Sequence, residues 1–90
     1  MVIATAISVY PNPFDHFVTL EVTCEENNDC IILLADLTHA KIVRMIGASL
    51  IEGNNTIPLA DLGYLKPGSY QLDIRTAAGH LLYQTMLIKQ

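Results

Sequence analysis

Ninety residues, 51% hydrophobic and 16% charged, are enough for one folded domain and too apolar for a disordered tail. A net charge of −4 with only five lysines and arginines argues against nucleic acid, whose phosphates need a basic patch. No run approaches the ~18 apolar residues of a membrane-spanning helix. A chain this short buries roughly 60–65% of its unfolded surface, for a stability on the order of 5–10 kcal/mol. So apolar a composition also suggests surface left over for a partner.

The pattern is period two almost throughout, and it predicts seven or so strands near 3–10, 17–24, 30–36, 41–46, 55–59, 68–76 and 80–89. The apolar start, residues 1–9, has no basic n-region and no clear cleavage pattern, so it does not read as a signal peptide. It runs into Val9-Tyr10-Pro11-Asn12-Pro13-Phe14. Each proline fixes its own φ and pushes the residue before it toward extended geometry. The asparagine side chain can bond nearby backbone and close the corner, and Phe14 follows as an apolar plug.

In the second strand Val18, Leu20 and Val22 alternate with Thr19, Glu21 and Thr23. Cys24 and Cys30 then bracket Glu25-Glu26-Asn27-Asn28-Asp29, at the mouth of a predicted hairpin. A disulfide there would contribute roughly 2–2.5 kcal/mol through chain entropy. The other reading is two unpaired thiols, with Cys30 opening a buried strand. The acidic cluster offers oxygen ligands of the kind calcium takes, but a solvated hairpin turn is the preferred reading. Residues 30–35 are apolar on both faces, as suits a central strand.

Thr38-His39-Ala40, Gly53-Asn54-Asn55, Leu62-Gly63 and Ala78-Gly79 read as turns, with one short turn over 60–65. Asn54-Asn55-Thr56 matches the glycosylation acceptor pattern but reads by preference as a plain turn. Pro67-Gly68 feeds the cleanest half-buried strand, where Tyr70, Leu72, Ile74 and Thr76 alternate with Gln71, Asp73 and Arg75. Tyr70 fits the tyrosine corner of sandwiches, ring buried and hydroxyl on backbone. The last strand has Leu82, Gln84, Met86 and Ile88 on one face and Leu81, Tyr83, Thr85 and Leu87 on the other. Neither face is convincingly polar, and exposed strand edges recruit partners unless blunted. Lys89 is then an edge gatekeeper or a recognition charge. Short strands at this spacing predict an all-β, immunoglobulin-like antiparallel sandwich.

Catalytic chemistry is poorly supplied. Asp15 and His16 are neighbours and point to opposite faces of any strand. His39 and His80 fall in predicted turns, and no serine or cysteine stands beside a histidine in sequence. Two cysteines without a nearby histidine do not make a zinc site. No metal or cofactor is expected.

Three features of the chain resemble the C-terminal sorting domain of the type IX (Por) secretion system of Bacteroidetes. They are Val9 with Tyr10-Pro11-Asn12-Pro13-Phe14, the Pro67-Gly68-Ser69-Tyr70 element, and the Leu87-Ile88-Lys89-Gln90 ending. Asp36-Leu37-Thr38 before Lys41-Ile42-Val43, and Gly53-Asn54-Asn55-Thr56-Ile57, also look like that family. The resemblance covers residues 7–90. One departure is the central turn, where the family usually has a glycine suited to positive φ and this chain has His39-Ala40.

The resemblance implies a signal and not a catalyst: a domain at the end of a larger secreted protein that crosses the inner membrane. It would be recognised folded in the periplasm by the outer-membrane translocon. A sortase protease would then cut it from a surface-anchored or released passenger, upstream of the first motif, in or before residues 1–6. The chain is accordingly expected to be an excised tail with an initiator methionine. The recognition residues expected are Pro11, Asn12 and Pro13 at the first corner, Gly68 and Tyr70 at the second, and Leu87, Ile88 and Lys89 in the terminal strand, with Pro11, Pro13, Gly68 and Tyr70 read as holding the fold in preference to direct contact. Replacing Lys89, or deleting residues 87–90, is expected to block export while leaving most of the domain folded. The competing reading is an immunoglobulin- or fibronectin-like accessory binding module of a cell-surface enzyme or adhesin, though few aromatics and no tryptophan supply a sugar-stacking platform. A small hydrolase is a third.

Overall fold

The computed structural model describes residues 4–90 as seven strands: β1 Ala4–Tyr10, β2 Val18–Cys24, β3 Asn28–Asp36, β4 Lys41–Leu50, β5 Gly53–Leu59, β6 Gly68–Thr76 and β7 Leu81–Lys89. Residues 1–3, where the first predicted strand begins and where half of the expected cleavage region falls, lie outside the described residues. The strands form two antiparallel sheets, ordered β1-β2-β5 and β4-β3-β6-β7. The β2–β5 and β3–β6 neighbours are distant in sequence, which is the crossed connectivity of an immunoglobulin-like sandwich.

Period-two patterning puts one face of each sheet into a shared core. Val18, Leu20, Val22 and Cys24 from β2 meet Cys30, Ile32 and Leu34 from β3, with Leu72 and Ile74 from β6. β3 has β4 on one side and β6 on the other, as its apolar run predicts, but its outward residues Ile31, Leu33 and Ala35 are only half-buried.

Three expectations need correction. β4 runs four residues past its predicted end (50 against 46), because Gly47, Ala48, Ser49 and Leu50 continue the ladder against residues 28–31. Gly53-Asn54-Asn55 is strand, paired with Cys24, Thr23 and Val22; the chain turns earlier, at Ile51 and Glu52. Finally, Cys24 and Cys30 do not flank a hairpin. They belong to opposite sheets, and residues 25–27 arch between the two. Both thiols are free and buried. Burial pushes both thiols above their ordinary pKa, and for Cys30 the neighbouring Cys24 and Asp29 add to it.

The turn after β3 shows what the missing glycine means. Ala40 sits at φ 52°, the left-handed region that disfavours a Cβ. Ala40→Gly is therefore expected to raise stability by about 0.5–1 kcal/mol, the relief of strain outweighing the entropy that glycine adds to the unfolded chain. A chemical-denaturation midpoint that falls on this substitution would contradict the account.

Candidate functional site

The three motifs singled out in the sequence meet at one corner of the sandwich. Phe14, just past the proline corner, is 1% exposed and packs edge-on against Tyr70, ring centroids 6.2 Å apart. Tyr70 pairs with Leu87, and Gly68 with Lys89, across the β6–β7 ladder. Gly68 takes φ 150°, a conformation that favours glycine, as the chain enters β6. The Tyr70 hydroxyl donates to the Lys66 carbonyl at 2.7 Å, which is the corner bond its position predicts.

The proline corner also grips the terminal strand. Phe14 N–H donates to the Ile88 carbonyl at 2.9 Å, and Gln90 N–H donates to the Phe14 carbonyl at 2.9 Å, a parallel bridge beside β7. The Asn12 carboxamide extends this contact by one step. Its Nδ2 donates to the Met86 carbonyl at 3.1 Å, and its Oδ1 accepts from Ile88 N–H at 2.9 Å. Pro11 and Pro13 stand exposed on either side of it. β7 is an edge strand, and over residues 86–90 this corner serves as its outer neighbour.

Within β7 the side chains alternate. Leu87 is 1% exposed in the core, while Met86 is 56% and Ile88 39% exposed. Lys89 also turns inward: it is 7% exposed, and its Nζ donates to the Gln90 carbonyl at 2.8 Å. Its stem lies along apolar surface while the ammonium reaches the chain end. Pattern-reading placed these motifs individually, but the Asn12 contacts span 74 and 76 positions in sequence. No local signal carries them.

Chemistry elsewhere is structural. Asp36, buried at the end of β3, caps an exposed turn: its carboxylate accepts from Thr38 N–H at 2.8 Å, His39 N–H at 3.3 Å and His39 Nδ1 at 2.8 Å. Sequence reading missed this pair, although Asp three residues before His at a turn is its signal. Asp36, His39, Lys41, Tyr64, Lys66 and Tyr70 contribute to a shallow cleft. Among the described residues lining it there is no serine, threonine or cysteine to act as a nucleophile. The acidic cluster after β2 ties down its own surroundings: Asn27 Oδ1 accepts from Glu52 N–H at 2.8 Å, and Asp29 Oδ1 from the Ser49 hydroxyl at 3.0 Å. His16 and His80 are exposed.

The hydrogen bond from His39 holds the Asp36 carboxyl below its usual pKa, assisted by the backbone donors and opposed by desolvation. A depressed folded-state pKa stabilises the fold above the ordinary carboxylate range, near pH 4, and that contribution is lost as pH falls through the lowered value. Asp36→Asn should thus melt below the parent protein at pH 7, with the Tm gap narrowing on acidification. A gap constant from neutral pH into the acid range would contradict the assignment.

A family model described as the secretion system C-terminal sorting domain matches residues 8–89. Among solved structures, the crystal structure of a GH3 β-glucosidase from Bifidobacterium adolescentis superposes with a TM-score of 0.56 at 9% identity. The match covers 97% of this chain but only 17% of that one, and at such identity it shows the fold alone. No curated protein matches the chain.

Proposed function

This chain belongs to the family of secretion system C-terminal sorting domains, and we propose that it works as the detachable tail of a larger secreted precursor. As a member it is a sorting signal for type IX secretion, which directs export to the cell surface or medium. The family is one of signals and not of enzymes. Among the described residues there is no helix long and apolar enough to cross a membrane.

The precursor crosses the inner membrane, and the domain folds in the periplasm with its passenger upstream. Outer-membrane translocon components recognise the folded tail, and a sortase cuts the chain before the proline corner. The domain itself performs no catalytic step. Its contribution is a surface organised by Pro11, Asn12, Pro13, Gly68 and Tyr70 and ending in Leu87, Ile88 and Lys89. The observation that carries this reading is the convergence of these separate motifs on one corner, within a chain that matches the sorting family over residues 8–89.

The test is a transplant. A signal-peptide-bearing fluorescent reporter is expressed in a type IX-competent host with and without residues 1–90 at its C-terminus. The reading predicts surface or released reporter only with the tail. Periplasmic retention of a folded fusion would favour an accessory binding module instead.

A further inference from the structure

We infer that Asn12 is a positioning residue of the sorting signal: its carboxamide locks the terminal strand in the register that turns Met86 and Ile88 outward. This rests on the sorting function proposed above and states which part of the folded corner makes the tail readable.

Asn12 is exposed and fills no space in the core. Yet both polar atoms of its carboxamide are used on the backbone of β7, donating to Met86 and accepting from Ile88. One carboxamide thus imitates the N–H and C=O that a neighbouring strand would offer. Phe14 continues the same ladder with Ile88 and Gln90. Prolines at 11 and 13 restrict the backbone on either side, so little freedom is lost when the side chain docks.

Register is the quantity at stake. Side chains alternate along a strand, so a slip of one residue exchanges the two faces. In the clamped register Leu87 and Lys89 are buried, and Met86 and Ile88 are presented beside Pro11 and Pro13. The outer edge of an edge strand has no sheet neighbour to hold it. Asn12, with Phe14, supplies that hold on the outer edge from a segment 74 positions away, while β6 pairs the inner edge in the same register. A receptor that needs this surface therefore reads a folded corner, and a linear peptide of the last residues does not reproduce it.

The experiment uses the 90-residue chain as the tail of the exported reporter, unaltered or carrying Asn12→Ala, Asn12→Asp or Ile32→Val. Asn12→Asp keeps an acceptor for Ile88 N–H but sets its second oxygen against the Met86 carbonyl, and this repulsion opposes the docked pose. Ile32→Val is a core change remote from the clamp, included to show what a general loss of Tm does to export. Amide exchange at Ile88 and Gln90 is read on the isolated chain. Both Asn12 variants are expected to exchange about fivefold faster at these amides and to lower export about tenfold, with Tm no lower than that of Ile32→Val. Ile32→Val is expected to export as the parent chain does. Parental export from both Asn12 variants would overturn the inference and leave the sorting function standing. So would export that falls only in step with Tm across all variants. A parent chain that is not exported would overturn the sorting function, and the inference with it.

Discussion

Replacing Phe14 with alanine is expected to lower the stability of the domain by about 3–5 kcal/mol. The side chain is 1% exposed, so its removal leaves a cavity among fixed neighbours. It also ends the edge-on contact with Tyr70, a geometry worth about 0.5–1.5 kcal/mol beyond buried area. Set against a total on the order of 5–10 kcal/mol, this is at least about a third of the stability. Besides the core, the change loosens the segment whose backbone bonds Ile88 and Gln90. Denaturant titration checks the magnitude; a loss below about 1 kcal/mol would mean that Phe14 is not the keystone of this corner.

Deleting residues 87–90 is expected to abolish export of a fused passenger, and also to destabilise the fold. The second effect corrects the expectation drawn from sequence, which treats the ending as a label that can be removed. Leu87 is in the core and pairs with Tyr70, and the deletion strips Asn12 and Phe14 of their partners in Ile88 and Gln90. Loss of Leu87 packing alone is worth about 2–5 kcal/mol by analogy with large-to-small core changes. The deletion therefore confounds signal with stability. Lys89→Met separates them, because it keeps an apolar stem in the buried site and removes the bond from Nζ to the Gln90 carbonyl. Export that falls with Lys89→Met while Tm is retained would mark the lysine as part of the signal. Undiminished export would assign the terminal effect to folding alone.

Much of the fold is legible because it is written in short-range alternation. Val18, Leu20 and Val22 read as the inner face of a strand, and they are buried. The Pro67-Gly68 turn and the Tyr70 corner follow from the φ preferences of two residues and the reach of one hydroxyl. Boundaries are harder. Gly47, Ala48 and Ser49 carry little strand propensity, and tertiary pairing with β3 overrides it. An arch between sheets and a hairpin within one look alike locally, which is why the cysteine spacing suggested a closed loop.

The candidate site was legible only in pieces. Its motifs are recognisable as turn chemistry and an apolar strand, but their meeting depends on how β1 leaves one sheet beside the edge of the other. Nothing local tells Asn12 that its carboxamide will find Met86 and Ile88. The position of Lys89 runs against the ordinary expectation that lysine is exposed. Its flexible stem lets a charged residue occupy an inward position while the ammonium reaches the backbone of the last residue.

The most direct measurement places the reporter fused to residues 1–90 in paired Bacteroidetes strains, one with a working type IX translocon and one without. The account predicts reporter at the surface or in the medium only where the translocon works. Equal distribution of a folded fusion in both strains would contradict it.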